Sequence, residues 1–148
     1  MRYMYLVVLS PDADDKPPPQ RLMDEMAKLS ERRMADGSMI STGGLLPPAM
    51  GGARVTLKRG QISVTDGPFA ETKEAIGGFA IFEFATREDA LASAVEFMEL
   101  HRLYGDGWEG VCEMRPMMSM GDEGDCAREL NAAAKAPSRH AGEGAGGP

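Results

Sequence analysis

Ten consecutive residues, Thr65-Asp66-Gly67-Pro68-Phe69-Ala70-Glu71-Thr72-Lys73-Glu74, bring together side chains able to do chemistry as a group. Asp66, Glu71 and Glu74 give or take protons, Thr72 supplies a hydroxyl, and Lys73 supplies a cation for an anionic group. With Asp66 held by a turn and its pKa raised by partial burial, its carboxyl would act as general acid or base while Thr72 and Lys73 orient an anionic substrate. The same residues have a plainer reading. Asp-Gly is common turn chemistry, in which Asp66 braces the bend against backbone amides, Gly67 supplies a positive φ and Pro68 fixes its own φ. Glu71, Lys73 and Glu74 would then form a solvated face whose ion pairs contribute about 0–1 kcal/mol each. Phe69 is either the anchor for a ligand or a ring buried against a sheet.

Further candidates are few. Gly43-Gly44 ends an apolar stretch and precedes Leu45-Leu46-Pro47-Pro48, where missing side chains admit a ligand or another stretch of backbone. His101 falls at the end of a helical pattern and reads as a partly buried histidine facing the helix C-terminal dipole, against a ligand or catalytic role. Cys112 and Cys126 lack metal-ligand spacing, and Cys112 reads as a small buried hydrophobe. No metal and no cofactor is expected.

The elements that must position these residues follow from periodicity. Tyr3 to Leu9 is a strand, closed by Ser10-Pro11-Asp12. Pro17-Pro18-Pro19 opens a helix in which Leu22, Met23, Met26, Ala27, Leu29 and Met34 recur at helical spacing, with Gly37 as its stop. The methionines read as adaptable core filler. Met39 to Thr42 is a second strand. Val55 and Leu57, then Arg59-Gly60, then Ile62 and Val64 alternate about a glycine turn, the signature of a hairpin leading into Asp66. Phe79 to Phe84 is a buried strand. Thr86 caps a second helix with Leu91, Ala94, Val95 and Met98 inward, ending near Tyr104-Gly105, and Trp108 to Arg115 is a last strand halted by Pro116.

Composition excludes several classes. At 148 residues and 43% hydrophobic the chain supports one core, and a formal charge of −7 without any basic run argues against nucleic-acid binding. No apolar stretch is long enough to span a bilayer, and residues 1–9 run into Ser10-Pro11-Asp12 without a cleavage site, so the N-terminus reads as a strand and the protein as cytoplasmic, with no membrane partner. Residues 117–148 differ from the rest. Met117-Met118-Ser119-Met120 opens a low-complexity tail in which 127–136 reads as a short helix and 137–148 as a flexible Gly-rich end. There is no internal repeat.

The order strand, helix, strand, hairpin, strand, helix, strand is that of a ferredoxin-like split βαβ, an α+β fold, with a β-hairpin inserted between its second and third core strands. Helices on one face of such a sheet leave the other bare. A second copy of the same sheet is the economical cover, so a homodimer is expected, with the hairpin and the Asp66 loop rimming the cavity between subunits.

Asp66-Gly67-Pro68-Phe69-Ala70-Glu71-Thr72-Lys73-Glu74, followed by Gly77-Gly78-Phe79, resembles the signature of the DGPF, or YCII-related, domain family of small bacterial proteins. Met1-Arg2-Tyr3-Met4, Gly43-Gly44-Leu45-Leu46-Pro47-Pro48 and Glu113-Met114-Arg115-Pro116 add to it, so the resemblance covers about residues 1–116. It implies a dimeric α+β barrel with a cleft near the motif. YCII-type relatives carry a histidine–aspartate pair regarded as a catalytic dyad, and some related proteins are lyases, dehalogenases or isomerases on small cyclic acids. Here the histidines are His101 and His140, neither near the first helix, and the dyad does not carry over. The resemblance also brings an association with extracytoplasmic-function sigma factors. Two readings stand: a protein binding a small polar or anionic metabolite beside Gly43, Gly44, Gly67, Phe69, Glu71, Thr72 and Lys73, with Asp66 doing acid–base chemistry, or a non-catalytic module binding a ligand or a protein through the same cleft.

Overall fold

Alternation along the first strand sets the layers. β1 (Arg2–Leu9) turns Tyr3 and Tyr5 to one side, where both are buried, and Met4, Leu6 and Val8 to the other. A computed structural model describes residues 1–10, 16–69, 75–118 and Ala132. The elements that follow β1 are α1 (Gln20–Ala35), β2 (Met39–Gly44), β3 (Ala53–Lys58), β4 (Gln61–Asp66), β5 (Ala75–Glu83), α2 (Arg87–Tyr104) and β6 (Gly110–Pro116). Four strands form an antiparallel-paired sheet in the order β2-β5-β1-β6, and β3-β4 form a separate ribbon. This is the ferredoxin-like α+β fold with its inserted hairpin.

The core lies where the helices meet the Tyr3–Tyr5 side of the sheet. Tyr5 stacks on Phe82 at 4.7 Å between ring centroids, Phe82 on Phe84 at 5.6 Å, and Met39, Ala90 and Ala94 close over them. Thr86 caps α2 as its residue type requires, the hydroxyl accepting from the Asp89 amide at 3.1 Å. The inward stripe of α2 differs from the expected one. Leu91 and Val95 are exposed, and the buried positions are Ala90, Ser93, Ala94 and His101. Small side chains at 90, 93 and 94 let the helix settle directly onto the aromatic rings of the sheet, and that close approach decides the phase over side-chain hydrophobicity. In α1, Leu22 and Leu29 are buried while Met23 and Met34 are exposed, so those two methionines are not core filler. The helices are tied by Glu96, which accepts from Arg33 at 2.6 Å and from Arg32 at 3.0 Å. Burial alone would raise the Glu96 pKa, but the two arginine hydrogen bonds outweigh it and hold the value below the usual range.

The ribbon is a well-formed hairpin. Arg59 (φ 52°) and Gly60 (φ 75°) both take left-handed backbone, the pattern of a type I′ turn whose twist matches its strands. Its base is pinned by the Gly67 amide donating to the Gly52 carbonyl at 2.9 Å. Gly67 is not at positive φ, contrary to the turn reading. Its glycine is required because a Cβ there would run into the Pro48 carbonyl. Among the described residues no helix or core strand makes more than slight contact with the ribbon.

The chain divides into Met1–Met117 and Met118–Pro148. The expected short helix at 127–136 and the Gly-rich end lie outside the described residues, Ala132 excepted. No described helix is long and apolar enough to cross a membrane.

Candidate functional site

The helices do not meet the sheet along its whole length. Toward the end of the sheet formed by Val7, Leu9, Gly43, Gly44 and Gly78 the layers part around a cavity of about 950 Å³. Tyr5, Val7 and Phe82 form its floor. Leu22, Met26 and Leu29 of α1 and Ser93, Phe97 and His101 of α2 form its walls, with Trp108 beyond the end of α2. The lining is mainly apolar, and glycines at 43, 44, 77 and 78 thin the sheet on that side.

His101 is one of the polar groups that line the cavity. It is only 7% exposed, in the last turn of α2, with its ring 4.5 Å from that of Phe97 and 4.6 Å from that of Trp108. Nδ1 lies 3.0 Å from the Phe97 carbonyl oxygen, which can only accept, so Nδ1 carries the hydrogen. In the neutral ring that leaves Nε2 as a lone-pair acceptor. Thr42 is committed elsewhere, its hydroxyl donating to the Phe79 carbonyl at 3.1 Å. Tyr5 donates its hydroxyl to the Ala90 carbonyl, and burial pushes its pKa up to about 12, so the floor of the cavity stays neutral.

Burial agrees with the reading of His101 as a partly buried histidine near the helix end, but its place in the cavity wall was not read from sequence. Trp108 was missed as well. The expected last strand began there, whereas β6 starts at Gly110 and Trp108 stands beside His101. Glycines at 105 and 110 were the available signal: a Cβ at Gly110 would collide with the indole, and one at Gly105 with the His101 carbonyl.

The residues singled out in advance fall into three groups. Gly43 and Gly44 line the cavity; a Cβ on Gly43 would lie 2.9 Å from the Phe79 ring, while one on Gly44 would meet nothing within 4 Å. Asp66, Gly67 and Phe69 lie at the base of the ribbon and do not line it. Asp66 is exposed and paired with Ala53, and Phe69 is half-buried with the Arg54 guanidinium 4.2 Å over its ring. Glu71, Thr72 and Lys73, with Ala70 and Glu74, lie outside the described residues. Among the described residues no group of three or more histidine, cysteine or acidic side chains is arranged to hold a metal.

No curated protein matches this sequence. The sequence model of the YCII-related domain matches residues 1–116, the span from the first strand to the last and the span over which the family resemblance was read. The four-stranded sheet, its two helices and the cavity between them all fall within that match, and the chain belongs to the YCII-related domain family.

Proposed function

We propose that this chain binds a small organic molecule in the cavity between its helices and its sheet, and that it works as a homodimer whose sheets stack through the face opposite the helices. The observation that carries the first part is the His101 cage. A cavity of about 950 Å³ is in the range of ligand sites, which are mostly apolar with a few placed polar groups. Two aromatic rings and one oriented imidazole acceptor suit a guest with a planar apolar body and an O–H or N–H to donate. The dimer reading rests on Met4, Leu6, Val8, Phe79, Ile81 and Val111, which register places together on the face the helices leave open. Acid–base chemistry by Asp66 is a second reading, favoured by its exposed carboxyl at the ribbon base, where a second subunit would complete a cleft.

A thermal-shift screen with phenols, aromatic acids and cyclic acids tests this, using wild type, Gly44→Leu, His101→Gln and Asp66→Ala. Gly44→Leu puts its Cβ into open space and narrows the cavity. A binder at about 100 times its Kd stabilises the native state by about 2.7 kcal/mol. The shift is expected to vanish in Gly44→Leu and to weaken in His101→Gln. Equal shifts in all four proteins would remove both the cavity and Asp66 from the binding site.

A further inference from the structure

Among the described residues, nothing covers the apolar face of the β3-β4 ribbon. Register sets Val55 opposite Val64 and Leu57 opposite Ile62 on one side, and Arg54 opposite Thr65 and Thr56 opposite Ser63 on the other. The four aliphatic side chains are 66–72% exposed. An isolated two-stranded hairpin is marginal in water, and a row of exposed aliphatic groups on a well-formed one marks a contact surface.

We propose that the ribbon is an arm that closes over a second copy of this chain, laying Val55, Leu57, Ile62 and Val64 against the partner's body. The inference rests on the homodimer reading above and adds to it a contact that stacked sheets alone would not make. Charge favours the same chain as the occupant. The ribbon holds three of the sixteen basic residues, Arg54, Lys58 and Arg59, and one of the twenty-three acidic ones, Asp66. A positively charged arm thus belongs to a chain that is otherwise strongly negative; register turns Arg54 and Lys58 away from the aliphatic row, so this charge acts at long range, steering the arm toward another copy. Area agrees. The four side chains offer roughly 200–300 Å² of apolar surface, short of the roughly 800 Å² per partner of a stable interface. The ribbon is therefore an addition to the open sheet face, and two-fold symmetry lets one association cover both surfaces of each chain.

The test uses the full chain with the photo-crosslinking residue p-benzoylphenylalanine at position 57, ¹⁵N-labelled and mixed with an equal amount of unlabelled protein. Irradiation is expected to give crosslinked pairs containing one labelled and one unlabelled chain. Sedimentation equilibrium of Leu57→Asp with Ile62→Asp is expected to show a dimer dissociation constant raised by about tenfold or more, with wild-type circular dichroism. Arg59→Glu should weaken the dimer most at low salt. Crosslinks confined to single chains, or a wild-type dimer whose dissociation constant none of these variants changes, would overturn the arm while leaving the dimer. A wild type that stays monomeric at every concentration would overturn both.

Discussion

Raising the pH should selectively weaken the native state through Tyr5. The phenol is 3% exposed, donates to the Ala90 carbonyl, and has its pKa moved by burial from 10.0 to about 12. A raised folded value means that the native state holds this proton more tightly than the unfolded chain does. The resulting stability is complete below pH 10 and is lost as pH climbs through 12. At 1.36 kcal/mol per unit, two units correspond to about 2.7 kcal/mol in full, of which about 1.4 kcal/mol is gone by pH 11. Tyr5→Phe lacks the titration and also lacks the hydrogen bond, which costs about 1 kcal/mol at neutral pH. Urea denaturation of both proteins should therefore show wild type about 1 kcal/mol more stable at pH 8 and the two nearly equal at pH 11. Other groups that titrate at high pH are common to both proteins and cancel in the difference. A gap that stays constant from pH 8 to pH 11 would refute the placement of the phenol in the core.

Glu96→Gln should lose about 1 kcal/mol at pH 7, because the Arg32 and Arg33 hydrogen bonds become weaker without the charge. The loss should shrink as pH falls below 4.5, since the lowered carboxyl value stabilises the native state only above the unfolded pKa; acid denaturation curves of the two proteins check it. Cys112 is half-buried and burial pushes its thiol pKa up, so in a Cys126→Ser background alkylation by iodoacetamide at pH 8 should be slower than for a free thiol and should accelerate in urea. Equal rates in buffer and in urea would contradict that burial.

Local chemistry was legible in the sequence, and contacts between layers were not. The alternation from Val55 to Val64 about Arg59-Gly60 identified the ribbon, because a two-residue turn and a period of two are both local properties. The same pattern could not reveal that the ribbon's aliphatic face would be left open. Phe79 to Phe84 was recognised as a strand, yet β5 begins earlier, at Ala75, and runs through Gly77-Gly78. Glycine there looked like a break, and its reason is tertiary: a Cβ on Gly77 would lie 2.9 Å from the side chain of Leu9 across a register shift. The cavity depends on where the small residues of α2 and the glycines of β2 and β5 fall opposite one another, which no window of sequence contains. The family motif was plain, and Gly43 and Gly44 do line the cavity, but the geometry adds His101 and Trp108, each ordinary when read alone.

The strand order also bears on how the chain is made. β1 is synthesised first, yet both of its neighbours, β5 and β6, come from the second half of the chain. At roughly 5–20 residues per second, translation leaves about 4–16 s between the emergence of Tyr3 and that of its ladder partner Phe82. Through that interval α1 and the ribbon, built on contacts near in sequence, can form on the ribosome, while β1 waits with both hydrogen-bonding edges unmatched. A nascent chain halted before residue 75 would have no central sheet to join, and β1 would be the segment a chaperone has reason to hold.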